Sequence, residues 1–481
     1  MTAAYDIVIV GNGILGIASA LELVRADPAL RVAVVGPSDR TGGASAAAGA
    51  MLSCFGEVTH RTLASEPGRV KLELSLQALE EWPAWLDGLN DELPDERELA
   101  IREGSYVLLN SYGGRLDSLN YRAIVDAVCG YGRKFEILPL GEVPNLDPAV
   151  NARPLEAVHL PEEGSIDARA VLDRATEVAR RNGVTIHDDS VVGWQQQRGR
   201  GQGVLLRSGE ALSAGSFLVA AGAFTPAIVQ DLKDPAAPLM PILSGVGVAV
   251  TCQATSSGLR HVVRTPNRSG GCGLHLVPGG DTVYIGATND VLLNPGAWSS
   301  LGMAHFLASG AMEQFDRRLF GSSVTAWHAG NRPLPLDGYP VVGQLWQDNV
   351  WVLSGTYRDG FHCAPVLARH AADLVRGGSG VLGHELFAPL RPPLRTLSQE
   401  QAVDEIVLHC VSQFYQYSPR LAPWMRITEG MEGQVRKRTE ATYHELDSEV
   451  GLAPELLELL NWGRGRKQAI TAFRRYLASA M

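Results

Sequence analysis

The chain has 481 residues, enough for two or three domains with a well-buried core. Its formal charge of −10 argues against a nucleic-acid partner, because phosphate binding wants a basic face. No apolar run reaches the length of a membrane span, and the 6 cysteines are scattered without CxxC pairs or zinc-ligand spacing, which fits free thiols in a reducing cytoplasm and no metal site.

Ile7 to Val10 is a β-branched run suited to a buried parallel strand. The chain then turns on Gly11, Gly13 and Gly16 into an apolar-periodic helix through Ile14, Leu15, Ala18, Leu21 and Leu23. One glycine permits the tight turn, one lets backbone approach a pyrophosphate, and one brings helix close to strand. The helix N-terminus offers free N–H groups and a positive dipole end to the phosphates. An ordinary glycine turn is the bland alternative; the order strand, glycines, helix at the head of the chain favours a dinucleotide. The same position leaves no room for a cleavable signal peptide, and none is expected.

Arg31 to Val35 reads as the second strand, but the acidic residue that ordinarily follows it to hold the ribose is missing. Gly36-Pro-Ser38-Asp39-Arg40 stands there instead. Ser38 or Asp39 would reach the ribose from the loop, or Arg40 would face a 2′-phosphate, which keeps NADP open at this point. Gly42 to Leu52 then narrows the choice to FAD. A run this small, including Ala44, Ser45, Ala48, Gly49, Met51 and Leu52, lies flat against a large planar ligand without side-chain clashes.

Here the chain resembles the D-amino-acid oxidase family of flavoenzymes, and most closely its glycine oxidase branch. That branch carries a Gly-Ala-Ser-x-Ala-Ala-Gly-Met-Leu-like segment beside the flavin; this chain differs by one extra residue, Ala50, before Met51-Leu52.

Residues 68–88 are helical by period, with Pro83 and Gly88 expected to end the pattern. A strand follows at 101–109, then polar loops to about Glu163. A helix is expected from Ala170 to Arg181, strands at 183–187, 190–192 and 204–207, and a buried strand from Phe217 that ends at Ala221-Gly222. The resemblance implies that backbone near Val191 meets the adenine and that Ala221-Gly222 meets the dinucleotide.

Three β-rich segments, 244–251, 275–278 and 282–288, resemble the family's sheet over the flavin. His275 stands where glycine oxidases place a tyrosine that reaches the substrate carboxylate. It would donate a hydrogen bond or titrate near neutral pH, or be a structural strand histidine. Trp327-His-Ala-Gly-Asn-Arg332-Pro-Leu-Pro-Leu-Asp337-Gly-Tyr-Pro-Val-Val-Gly343 resembles the family's Trp-x-Gly-x-Arg-Pro…Asp-Gly-x-Pro-x-x-Gly, whose arginine clamps that carboxylate. A guanidinium suits the role because its charge is permanent and its planar fork matches a carboxylate.

In Val350 to Pro365 an apolar strand delivers a glycine-rich turn and a helix. The resemblance places Gly355, Asp359, Gly360 and Phe361 against the flavin and matches Arg358 to a second active-site arginine. No cysteine stands where related enzymes attach flavin covalently, so FAD is expected to be non-covalent. The lysines, at 71, 134, 233, 437 and 467, all fall outside these motifs.

The implied fold is α/β: a Rossmann-like FAD-binding domain (1–90, 160–238 and 325–392) interleaved with a mixed-sheet substrate domain (91–159 and 239–324), plus a C-terminal helical region, 393–481. Ser398-Gln-Glu-Gln401 is a capping box opening a helix to about Tyr417. These last helices would pack on the main body or on a second subunit, giving a homo-oligomer, or dock a partner.

The expected reaction is oxidation of an amino acid or related carboxylated amine by hydride transfer to flavin N5, giving an imine, with oxygen or another electron acceptor completing the cycle. Arg332, Arg358 and His275 are the candidate catalytic residues. Two alternatives stay open: a tailoring oxidase or dehydrogenase for a larger biosynthetic intermediate, and a flavoprotein subunit of a larger complex.

Overall fold

Two sheets organise the chain in the computed structural model, which describes residues 4–480 except 95–96, 112, 140, 233, 235–236, 255–256, 272, 297–299 and 417–426. The first is built on the apolar strand Tyr5–Val10, which lies parallel to Val32–Val35 on one side and Ala211–Val219 on the other. Thr185–His187 and Val350–Ser354 extend it in parallel, Val341–Gln344 closes one edge antiparallel, and the ribbon Val191–Gln197 with Arg200–Leu206 branches from it.

Alternation along Tyr5–Val10 feeds two cores. Ile7 and Ile9 face a cluster with the helices Ile14–Ala26, Ala168–Arg181 and Ala364–Val375. Val8 and Val10 belong to a second cluster that includes Phe217, Leu336, Leu457 and Phe473. The C-terminal helices are therefore part of the body's own core, as one of the two packing readings expected.

The second sheet runs, strand by strand, Gly42–Gly43, Ser323–Pro335, Ile242–Gln253, Thr282–Gly286, His275–Pro278, Val262–Arg264, Arg102–Asn110, Pro154–Ser165 and Met51–Leu52. Both of its end strands come from the single small-residue run. Laid flat, the eight spacings between these nine strands would measure about 38 Å. From Gly43 to Met51 the chain reaches about 28 Å at most. The sheet must curl, and the small-residue run crosses the space it curls around.

The boundary expected at 325 falls inside Ser323–Pro335, which pairs along its length with Ile242–Gln253 and so carries Arg332 on the second sheet. The helix expected over 68–88 runs from Glu66 to Asp91 and passes through Pro83. Trp82, Trp85, Leu86 and Leu89 bury its apolar face, which outweighs the about 3 kcal/mol that an interior proline costs. Polar loops were expected up to Glu163; the structure has the helix Arg115–Gly130 and the strands Glu136–Leu138 and Pro154–Ser165. Leu116, Tyr121, Ile124, Ala127 and Val128 form that helix's buried stripe, a helical period diluted by charged residues.

Beyond 393 the helices are Gln399–Gln416, Ile427–Leu446, Pro454–Trp462 and Arg466–Ala480. Ser398 Oγ accepts from Gln401 N at 3.1 Å and Gln401 Oε1 accepts from Ser398 N at 2.9 Å, the reciprocal pair of a capping box. Tyr417 lies outside the described residues.

Candidate active site

Where strand Tyr5–Val10 ends, the backbone turns at Gly11 with φ 120°, a conformation that side chains rarely adopt. A methyl on Gly11 would overlap the Ala220 carbonyl, and one on Gly16 would overlap the carbonyl of Gly11. Gly13 faces Ser45, whose hydroxyl accepts the N–H of Ile14 at 3.1 Å and so ties the helix start to the small-residue run. Ala50, the extra residue, takes a left-handed φ of 46° and returns the chain to its strand, with its carbonyl accepting from Ile166 N at 3.0 Å.

A cavity of about 660 Å³ opens between this turn and the curled sheet. Of the residues expected at a cofactor, Gly11, Gly13, Leu15, Asp39, Ala44, Ser45, Ala48, Gly49, Met51, Val191, Ala221, Gly222, Arg358, Asp359, Gly360 and Phe361 line it. Arg332 and His275 line it too. Ile14, Gly16, Ser38, Leu52 and Gly355 lie outside its lining and act, if at all, by shaping the backbone.

Ser38 donates its hydroxyl to Asp188 at 2.7 Å, and Asp39 accepts from Thr41 N and Oγ1 at 3.1 and 2.8 Å, which leaves Asp39 the one of the two on the cavity wall. The Arg40 guanidinium reaches Asn12 O at 3.1 Å, Thr176 Oγ1 at 2.9 Å and Asp173 at 3.3 Å. That engagement removes the reason for reading it as a 2′-phosphate site. A glycine turn closed to any Cβ, a helix start above it and a floor of small residues fit the pyrophosphate and rings of FAD.

Elsewhere on the cavity wall, Arg332 Nη1 donates to Thr288 O at 3.0 Å and Asn289 Oδ1 at 3.3 Å. Among the described residues no protein acceptor is drawn to its Nη2. Gly247, on the neighbouring strand, is the reason the guanidinium fits, since any Cβ there would collide with it. His275 Nδ1 lies 3.1 Å from Gly273 O, and its ring stacks on Tyr284 with centroids 6.1 Å apart. Burial, with Arg264 and Arg332 nearby, drives its pKa down to about 3. The reading in which it titrates near neutral pH is thereby corrected: it is a neutral ring that can still donate one N–H.

Motif reading missed a third group. Glu57 bonds Arg264 Nη1 at 2.6 Å and Arg358 Nη2 at 2.7 Å, and Asn267 Oδ1 accepts from both guanidiniums. Burial works against the Glu57 anion, but the two arginines hold its carboxyl well below the usual range. The turn that presents Glu57 is fixed by buried Glu163, which accepts Cys54 N at 2.9 Å, Phe55 N at 2.5 Å, Gly56 N at 3.1 Å and, at 2.7 Å, the Ser53 hydroxyl. At the glycine-rich turn after Val350–Ser354, Lys71 Nζ pairs with Asp359 at 2.8 Å, so one lysine does touch a motif from a distant helix. His362 is held by packing: its Nε2 lies 2.8 Å from Ser75 O, and its carbonyl accepts Trp82 Nε1 at 2.7 Å.

With the geometry in place, the chain can be set beside known proteins. The family model described as "FAD dependent oxidoreductase" (DAO) matches residues 6–374. A D-amino acid dehydrogenase from Methylobacterium nodulans is 27% identical over 263 residues, 53% of this chain and 60% of that protein, so the chain spans less than two thirds of that relative. A glycine oxidase from Geobacillus kaustophilus is 26% identical over 387 residues, 78% of this chain and 94% of its own length. Among solved structures, the iminodiacetate oxidase of a Chelativorans species superposes with a TM-score of 0.66 at 22% identity, covering 80% of this chain and 98% of that one. The Geobacillus kaustophilus glycine oxidase structure gives 0.66 at 23% identity, covering 79% and 98%. The chain belongs to the DAO family of FAD-dependent oxidoreductases, and within it resembles the glycine oxidases.

Proposed function

We propose that the chain is an FAD-dependent oxidase or dehydrogenase of an amino acid or related carboxylated amine. The observation that carries this reading is Arg332: a permanently charged fork, anchored on one nitrogen by Thr288 and Asn289, on the wall of the cavity that also contains the glycine turn. The names of the relatives, glycine oxidase and D-amino acid dehydrogenase, support the substrate class.

In this reading Gly11, Gly13, Ser45, Ala48 and Gly49 hold the cofactor along its length, and Asp39 takes the ribose place of the missing acid. Bound FAD supplies the hydride acceptor for cleavage of the substrate's α-C–H bond. Arg332 fixes the carboxylate so that this bond is oriented, and orientation carries much of the rate. His275, neutral, offers an N–H without adding charge. Arg358, locked to Glu57 and Asn267, holds positive charge at the cavity wall without a flexible side chain.

Oxygen or another electron acceptor, and a cytoplasmic setting, complete the proposal. The described cysteines are all free thiols, and no helix of the described residues is long and apolar enough to cross a membrane. The test is oxygen uptake against a panel of glycine, N-substituted glycines, D-amino acids and their decarboxylated counterparts, repeated with a dye acceptor. Turnover confined to the carboxylated amines supports the reading. Equal turnover of the decarboxylated amines, or none with either acceptor, refutes it.

A further inference from the structure

The small-residue run that crosses the curled sheet is poorly equipped to hold itself in place. Between Gly42 and Met51 its sole polar side chain is Ser45, and small side chains leave the backbone free to move. Its ends are tied to the body: Asn331 Nδ2 donates to Gly42 O at 2.9 Å, Ser45 Oγ accepts Ile14 N at 3.1 Å, and Ala50 O accepts Ile166 N at 3.0 Å. Its middle is tied by a side chain from the second sheet, where the Tyr284 hydroxyl donates to Ala47 O at 2.7 Å. Tyr284 stands on the strand Thr282–Gly286 and lines the cavity.

The ring that makes this bond is itself fixed. It stacks between His275, with centroids 6.1 Å apart, and His328, at 5.6 Å. His328 is held in turn by Arg169 Nη2 at 2.7 Å and Thr251 Oγ1 at 2.8 Å. The run lies directly against the ring. A methyl on Gly49 would stand 2.8 Å from Tyr284 Cε1 and 3.2 Å from Cδ1, and Gly49 does not have a left-handed backbone. The glycine at 49 is therefore demanded by the tyrosine, not by the local path of the chain. The peptide between Ala47 and Ala48 is held at both ends, its carbonyl by Tyr284 and its N–H by Ser45 O at 3.3 Å.

We propose that Tyr284 is a positioning residue for the cofactor: its hydroxyl fixes the middle of the run 42–52, and its ring, with Gly49 against it, sets how closely the run lies on the sheet. A surface made of backbone and methyl groups gains its shape from a side chain 237 residues further along.

The inference rests on the reading that FAD lies in this cavity along the run, and the test separates the two. The FAD-loaded protein is diluted into FAD-free buffer, and release is followed by the rise in flavin fluorescence. Gly11→Ala is expected to accelerate release whatever Tyr284 does; an unchanged rate there overturns the parent reading itself. Tyr284→Phe keeps the ring between its two histidines, loses only the hydroxyl, and is expected to release FAD roughly three- to tenfold faster, the net worth of about one hydrogen bond.

Gly49→Ala presses a methyl onto the fixed ring and is expected to accelerate release about ten- to hundredfold, the cost of overpacking a close contact. In a Tyr284→Ala background that methyl meets open space, so the double variant releases FAD no faster than Tyr284→Ala alone. Tyr476→Phe breaks a bond to Arg391 O at 2.8 Å outside the cavity lining and is expected to release FAD at the parent rate. Release unchanged in Tyr284→Phe, equal acceleration in Tyr476→Phe, or a Gly49→Ala effect that persists undiminished in the Tyr284→Ala background each overturn the proposal.

Discussion

Replacing Arg332 by alanine leaves Gly247 facing empty space and removes the guanidinium whose Nη1 is pinned at 3.0 Å to Thr288 O. A charge-assisted contact of this kind is worth about 1.5–3 kcal/mol. At 1.4 kcal/mol per tenfold, kcat/KM for a carboxylated amine falls roughly 10- to 150-fold. Arg332→Lys keeps a charge but cannot both hold Thr288 and present a planar fork, so it falls between the two. The assay compares initial rates at low substrate for a carboxylated amine and its decarboxylated counterpart, in parent and variant. The selective loss must be confined to the carboxylated substrate. Equal loss for both would mean that the variant had damaged the flavin site, and no loss for either would remove Arg332 from substrate binding.

Four further outcomes follow from the same geometry. Gly11→Ala forces a side chain onto φ 120° and into the Ala220 carbonyl, so backbone strain alone costs about 1–3 kcal/mol; the FAD-to-protein ratio after purification should drop, and full retention would contradict the cradle. Glu57→Gln leaves Arg264 and Arg358 without their shared anion and should cost about 3 kcal/mol in denaturant unfolding. Because the folded Glu57 carboxyl is depressed, its stabilisation is complete above the unfolded value of about 4.3 and fades only in stronger acid; parent and variant that converge near neutral pH would refute the assignment.

Burial opposes the His60 cation, but its bonds to Glu405 at 3.0 Å and Asn120 at 2.8 Å raise its pKa. Its stabilisation of the C-terminal helices is therefore full below about 6.5 and lost as pH rises past the folded value. His60→Gln should flatten the alkaline decline in melting temperature, and an unchanged decline would exclude it. His275, depressed to about 3, resists a proton that the unfolded chain takes up below about 6.5, so it subtracts stability as pH falls through that window. His275→Asn should leave any neutral-range inflection of kcat/KM in place; its disappearance would show that the ring titrates there after all.

How much the sequence disclosed follows the reach of each interaction. The Gly11 turn, the run 42–52 and the strand–turn–helix from Val350 are local: their glycines, capping positions and apolar runs sit within a few residues of one another, so one pass exposes them. Arg332 is legible for the same reason. Glu57, Arg264 and Arg358 are spread across about 300 residues and meet only once the second sheet has curled; nothing near any of them in the chain announces the meeting. Lys71 reaches Asp359 from the face of a long helix, again a tertiary fact. The helix Arg115–Gly130 was hidden by charged residues on its outer side. Pro83 stays inside the helix Glu66–Asp91 because burial of two tryptophans outweighs a local penalty. Ser38 and Asp39 could not be ranked until Asp188, from another strand end, was seen to occupy the serine.

The most direct measurement of the central claim is anaerobic addition of amines to the purified yellow protein while its flavin absorbance is recorded. The account predicts that at least one carboxylated amine bleaches the flavin, that its decarboxylated counterpart does not, and that Arg332→Ala suppresses the bleaching while retaining FAD. A protein that carries FAD and is bleached equally by amines with and without a carboxylate, or as fast in Arg332→Ala as in the parent, would contradict it.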